Sequence, residues 1–186
     1  MAKKISHIFI DMDGVLCDFV EASIRLHQRS PPWAYANWPE GEYEIYNVLG
    51  IAEDEFWEPI HGAGWEWWAA MPAFEWAATL VELCEQYADT VAIATSPSRD
   101  GSSSFGKMRW MQQYFPRLTR KMMIGPRKEW LAAPGRVLID DSDEKATAFA
   151  KAGGTPILFP QLWNRNRKLL DAECRLEYVA RRLEAQ

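Results

Sequence analysis

The sequence predicts an α/β protein, a single parallel sheet covered by helices on both faces. Three observations carry that expectation. Short β-branched or apolar runs alternate along the chain with segments of helical periodicity, the pattern that builds parallel sheets from crossover units. Four of those runs end in polar residues, in the order acid, hydroxyl, amine, acid, which suits the carboxyl edge of a sheet that binds a ligand. The chain of 186 residues is long enough for one full α/β core with a small insertion and too short for two large domains.

The first strand, over 5–10, delivers Asp11-Met12-Asp13-Gly14 at its tip. Carboxylates leaving a buried run are costly unless something pairs with them, and with no Lys or Arg alongside, a hard divalent cation is the fitting partner. Taken alone, the motif also reads as a strand entering a polar turn with Gly14 at positive φ. A calcium loop is excluded, because it needs a third acidic or Asn residue before its Gly and a Glu at the twelfth place. Here Asp13 itself precedes Gly14, and Ala22 stands twelfth.

After a long segment, 18–73, a helix over 73–88 leads to a second strand over 90–95, ending in Thr95-Ser96-Pro97-Ser98. A helix over 102–115 leads to a third strand over 121–124, followed by Gly125-Pro126-Arg127-Lys128. The fourth strand, 136–140, ends in Asp140-Asp141-Ser142-Asp143; a helix over 143–152 and a fifth strand over 155–159 follow. Asp140 and Asp141 are adjacent on a strand and point to opposite faces, so one is expected to touch a metal directly and the other from its outer shell. Asp143 is expected to cap the next helix. Leu169, Leu170, Cys174, Leu176, Val179 and Leu183 mark a closing amphipathic helix over 165–183.

Composition narrows the partners. A net charge of −5 offers no broad basic field, which argues against nucleic acid polymers. Three widely spaced cysteines without a C-x-x-C fit a reducing cytoplasm better than a disulfide scaffold or a zinc site. Met1-Ala2-Lys3-Lys4 looks briefly like a signal n-region, but the apolar run behind it is too short, so no export signal is expected. No stretch reaches the roughly 18 apolar residues of a membrane span. His7, His27 and His61 show no metal-pair spacing and accompany no Ser or Cys elbow, so no catalytic role is assigned to them.

The 18–73 segment holds Trp33, Trp38, Trp57, Trp65, Trp67 and Trp68, six of the ten tryptophans. A small helical lobe poor in aliphatics uses Trp as core. A cluster of that size above a phosphate site also suits stacking of a flat leaving group such as a nucleobase.

With its four strand-end motifs in order, the chain resembles the haloacid dehalogenase-like (HAD) superfamily of aspartyl-nucleophile phosphatases. The resemblance implies a Rossmann-like three-layer α/β/α sheet with a small helical cap inserted after the first strand. The core would be 1–17 and 74–186, and the Trp-rich cap 18–73. It implies Asp11 as the nucleophile that takes up the phosphoryl group, Asp13 as the acid/base, and Thr95, helped by the Ser96 amide, as the phosphate-binding hydroxyl. Lys128 is the cation joining Asp11 to the phosphate, with Arg127 the alternative if the loop register differs. Mg²⁺ would be held by Asp11, the Asp13 carbonyl and Asp141, with Asp140 orienting metal-bound water.

Within that superfamily the chain is similar to the 5′(3′)-deoxyribonucleotidases. The similarity rests on Asp11 through Phe19, on Asn37-Trp38-Pro39 followed by Tyr43, on Phe56-Trp57-Glu58, on Ala94-Thr95-Ser96-Pro97, on Lys107-x-x-Trp110 and on Leu138-Ile139-Asp140-Asp141. It implies that Phe19, Trp38 and Trp57 meet the base. Gly64-Trp65-Glu66-Trp67-Trp68 stands where the family has a Phe-rich stretch, and Trp67 is assigned to the substrate there. Arg165 reads as a surface residue at a helix start.

The function so implied is a Mg²⁺-dependent phosphomonoesterase for nucleoside monophosphates, foremost a pyrimidine deoxynucleotide, acting through an aspartyl-phosphate. Its partner is a small phosphate ester, its assembly a monomer or homodimer, and its location cytoplasmic. Two alternatives stay open. One is a HAD-like phosphatase or phosphotransferase for a non-nucleotide metabolite, with the tryptophans serving only as cap core. The other is a non-catalytic protein presenting a Trp-rich lobe to a partner, against which the filled motif positions count.

Overall fold

A computed structural model of the protein describes residues 5–186; Met1-Ala2-Lys3-Lys4, weighed above as a signal-like start, lies outside the described residues. The strands Ile5–Ile10 (β1), Ala88–Thr95 (β2), Met122–Ile124 (β3), Arg136–Asp140 (β4) and Thr155–Leu158 (β5) form one parallel sheet in the order β3-β2-β1-β4-β5. β1 is central, with Ile10 level with Ile93 of β2 on one side and Ile139 of β4 on the other. The chain builds outward from β1 through β2 to β3, then crosses back to β4. That reversal puts a crevice at the tips of β1 and its neighbours, where open α/β sheets bind ligands.

The apolar runs form strands because both faces are covered. Ile8, Phe9 and Ile10 are all at most 2 % exposed. Phe9 packs with Ala92, Ala94, Leu138 and Phe149 on one face, whereas Ile8 and Ile10 join the larger core on the other. Helices Ala77–Tyr87 (α5), Ser102–Tyr114 (α6), Asp143–Lys151 (α7) and Ala172–Glu184 (α8) alternate with the strands as the periodicity predicts.

Two expectations need correction. The closing helix starts at Ala172, not at 165, because Asp171 caps it by accepting from the Cys174 N–H at 2.9 Å. The preceding stretch is held as irregular turns by side-chain amides: Asn164 Nδ2 donates to the carbonyls of Phe159 and Asp141, and Asn166 Nδ2 to that of Leu158. Such local bonds compete with helix in a way that Leu spacing does not report. The cap of α7 is Ser142, whose hydroxyl accepts from the Lys145 N–H at 3.3 Å; Asp143 is the first helical residue and pairs with Arg165 at 3.0 Å.

Between β1 and α5 lie four helices, Phe19–Leu26 (α1), Pro31–Ala36 (α2), Ile45–Leu49 (α3) and Glu53–Ala69 (α4). The entering and leaving chains run side by side: Cys17 bridges Ala73, the Asp18 N–H donates to the Pro72 carbonyl at 2.9 Å, and the Phe74 N–H to that of Leu16 at 3.0 Å. Asp18 caps α1 by accepting from the Glu21 N–H at 2.8 Å. α4 breaks at Gly64 (φ 71°, ψ −169°), a backbone state that a side chain would strain. α6 packs along α4, and Trp110 Nε1 ties it to the Met71 carbonyl at 2.8 Å. Among the described residues no helix is long and apolar enough to cross a membrane.

Candidate active site

Asp11 leaves β1, Asp140 ends β4 and Asp141 follows it. One carboxylate oxygen from each lies within 4.8 Å of the others, and all three residues are at most 4 % exposed. Lys128 reaches them from the short 3₁₀ turn Lys128–Leu131 behind β3, its Nζ 2.7 Å from both Asp11 Oδ1 and Asp140 Oδ2. Burial pushes the Asp11 carboxyl up, but the ammonium of Lys128, followed by Lys145, outweighs it and holds the group below the usual carboxylate range. Asp140 and Asp141 go the other way. Burial raises Asp140 despite Lys128, and burial with the charges of Asp140 and Asp11 drives Asp141 well above its ordinary value.

That crowding describes a site short of positive charge. Three converging buried oxygen donors suit a hard divalent cation, which would relieve the repulsion among them. Asp140 is already committed, Oδ2 to Lys128 and Oδ1 to the Ser142 N–H at 2.9 Å. Asp141 accepts from Trp163 Nε1 at 2.7 Å. Gly14, at φ 74°, has no room for a Cβ because the Asp141 carboxylate occupies that space. The Gly14 carbonyl is fixed by Gln161 Nε2 at 2.5 Å.

Asp13 is held by a residue that the motifs leave without a role. Lys107 of α6, 1 % exposed, places Nζ 2.5 Å from Asp13 Oδ2, 2.6 Å from the Ser96 carbonyl and 3.1 Å from Thr95 Oγ1. It thereby joins the tip of β2 to that of β1. A signal was present in the sequence: Ser103, Lys107, Trp110 and Met111 share one buried face of α6, and a lysine there requires an acid to meet it.

These groups border a cavity of about 220 Å³, sized for a small molecule. Asp11, Asp13, Asp141 and Lys145 line it together with Ser96 and the rings of Phe19, Tyr43, Phe56, Trp57, Trp68 and Trp163. Phe19 stacks on Trp57 and Trp68, with ring centroids 6.1 and 5.4 Å apart. Among the described residues, Ser96 Oγ and Trp68 Nε1 are buried without a hydrogen-bond partner. Lys145, four residues beyond Asp141, stands 4.0 Å from Asp11 Oδ2. Burial opposes its charge, but Asp11 and Asp140 outweigh that and raise the ammonium well above its ordinary value.

The structure thus brings Asp11, Asp13, Lys128, Asp140, Asp141, Ser96, Phe19 and Trp57 to one place. Thr95 is fully buried beneath the cavity wall, its hydroxyl meeting Lys107. Two tryptophans expected at the substrate lie outside the cavity lining. Trp38 does not line the cavity; it is buried against Trp163, and its Nε1 donates to the Glu42 carbonyl at 2.7 Å. Trp67 sits edge-on behind Phe19 and Trp68, and it is Trp68 that faces the cavity, because the break at Gly64 resets the phase of the last turn of α4. Arg127 is at the surface with Glu129, and Arg165 with Asp143.

Comparison with solved structures finds the same fold. A putative HAD-hydrolase, YfnB, from Bacillus subtilis, whose structure holds magnesium, superposes with a TM-score of 0.60 at 15 % identity, covering 97 % of this chain and 99 % of that one. A haloacid dehalogenase-like family hydrolase from Xanthomonas campestris gives 0.57 at 14 % identity, covering 98 % and 93 %. A HAD family hydrolase from Deinococcus radiodurans, with bound phosphate and sodium, gives 0.51 at 16 % identity, covering 84 % and 80 %. A comparison with curated proteins finds no match. Residues 3–177 match the family described as 5′ nucleotidase, deoxy (pyrimidine), cytosolic type C protein. With nearly its whole length matched and a buried acid cluster at the strand tips, the chain belongs to that nucleotidase family of phosphoric monoester hydrolases.

Proposed function

We propose that the protein hydrolyses nucleoside monophosphates, foremost a pyrimidine deoxynucleotide, with Mg²⁺ as its cation and a phosphoryl group carried transiently on Asp11. The observation that supports this best is one cavity lined both by Asp11, Asp13 and Asp141 and by Phe19, Phe56, Trp57 and Trp68. The acids suit a phosphate ester with its cation, and the rings suit a base. In this reading residues 18–73 act as a cap over a core of 1–17 and 74–186, gating water as lids do. The free thiols of Cys17, Cys84 and Cys174 support a reducing, cytoplasmic setting.

The chemistry follows from the placement of the residues. An Asp11 oxygen attacks phosphorus, forming an acyl phosphate while the ester P–O bond breaks. Asp13 gives a proton to the departing oxygen, and the nucleoside leaves. Asp13 then takes a proton from water, whose oxygen attacks the same phosphorus, releasing phosphate and restoring Asp11. Lys128 keeps Asp11 ionised and oriented, and Lys107 keeps Asp13 turned toward the cavity. Ser96 offers its unpartnered hydroxyl and its amide to phosphoryl oxygens, with Thr95 fixing the strand tip. Asp11, Asp141 and the Asp13 carbonyl would hold Mg²⁺, with Asp140 behind them; when bound, it offsets the repulsion between the carboxylate nucleophile and the phosphate dianion.

The test is phosphate release from a panel of deoxy- and ribonucleoside monophosphates beside sugar phosphates, with and without Mg²⁺, using Asp11→Asn as the blank. Preference for a pyrimidine deoxynucleotide, lost in the blank, is the expected result. Preference for sugar phosphates would overturn the assignment of the rings to a base.

A further inference from the structure

Three ammonium groups serve the acids of the cavity, and they differ in what they have left to give. Lys107 spends its three N–H donors on Asp13, Thr95 and Ser96. Lys128 is 2 % exposed, is shared between Asp11 and Asp140, and does not line the cavity. Lys145 is different: its side chain is 30 % exposed, it lines the cavity, and its nearest acid oxygen, Asp11 Oδ2, is 4.0 Å away, beyond hydrogen-bond reach. Asp11 Oδ1 is meanwhile occupied by Lys128 and by the Met12 N–H at 2.7 Å. Oδ2, the oxygen left for chemistry, is the one Lys145 faces.

Helix stability does not explain this lysine. It is the third residue of α7, in the first turn, after the Ser142 cap. A cation there opposes the helix dipole, and Asp or Glu is favoured at such a position. Asp143 and Glu144 fill the same turn in the expected way.

Building on the phosphatase reading above, we propose that Lys145 is a further substrate-binding residue, whose ammonium grips the non-bridging oxygens of the phosphate ester beside Asp11 Oδ2. The 4.0 Å gap leaves its donors free to meet a phosphoryl oxygen as the nucleophile approaches phosphorus. A lysine serving only as counter-charge to the acids would act chiefly on the fold, so its loss would show in the melting temperature more than in phosphate affinity.

The probe is inorganic phosphate, measured by calorimetry and as an inhibitor of nucleotide hydrolysis, on the wild type and on Lys145→Met, Lys145→Gln and Lys145→Arg. Both neutral variants should bind phosphate at least about tenfold more weakly and raise KM for the nucleotide in proportion, with kcat falling less. Lys145→Arg should recover most of both. Phosphate affinity and KM within about twofold of wild type in a neutral variant that melts normally would overturn the proposal. Failure of both neutral variants to fold would also overturn it, making Lys145 a structural counter-charge. Should the wild type hydrolyse no nucleotide, loss of phosphate affinity in the variants would still support the role of Lys145, and the nucleotide reading alone would fall.

Discussion

At the strand tips Asp11, Asp13 and Asp140 are fixed by lysines at 2.5 to 2.7 Å, whereas the helical insertion lines the same cavity with rings whose neighbours are other rings. The first region is set by pairing register: once Ile10 is level with Ile93 and Ile139, the next residue of each strand has one place to go. The second is set by helix phase and by a break at Gly64, so which ring reaches the cavity depends on a rotation about the helix axis. Exchange of one residue at the edge should therefore change chemistry, and exchange in the insertion should change affinity or stability.

The largest effect tests the edge itself. Asp11→Asn keeps the shape and removes the carboxylate proposed as nucleophile, so kcat should fall at least about a thousandfold with an unchanged circular dichroism spectrum. Retained turnover would sink the contrast at its root. Lys107→Met leaves Asp13 without its cation, and kcat should fall about a hundredfold with KM little changed. A lower melting temperature with kcat per folded molecule unchanged would return Lys107 to a structural role.

Trp163→Phe sharpens the boundary, since this ring belongs to the cavity wall while its N–H belongs to Asp141. If Asp141 holds Mg²⁺ as proposed, the Mg²⁺ concentration for half-maximal activity should rise about tenfold, as expected for a partner that orients a metal ligand. The smallest effects lie in the insertion. Trp57→Ala should raise KM for a nucleotide about tenfold and for methyl phosphate hardly at all, given about 1–3 kcal/mol per stacked base. Trp67→Ala should leave both KM values near wild type and cost about 1–3 kcal/mol of stability, read by chemical denaturation. If Trp67→Ala also raised KM selectively, the distinction between wall and backing would fail.

The same contrast explains what was legible in the sequence. Strands end where their apolar runs end, so Asp11, Thr95, Asp140 and Asp141 are readable as tip residues, with Lys128 in the turn that follows β3. Lys107 and Lys145 sit on helices, and their pairing with the tips depends on how α6 and α7 cross the sheet, which periodicity does not encode. Trp68 rather than Trp67 faces the cavity because one glycine alters the phase of α4. The closing helix begins late because asparagine amides, not leucines, govern 164–170.

The paired stretches at 16–18 and 72–74 have a consequence for assembly of the sheet. β1 and β2 are direct neighbours, yet everything from Asp11 to Tyr87 intervenes between them in the chain. The bonds joining Cys17 to Ala73, Asp18 to Pro72 and Phe74 to Leu16 pinch most of that excursion into a closed lobe. The two strands then find each other across a short effective loop, and the entropy of the excursion grows only logarithmically with its length. A change in the length of the lobe between those paired stretches would thus add little to the entropy of bringing β1 and β2 together.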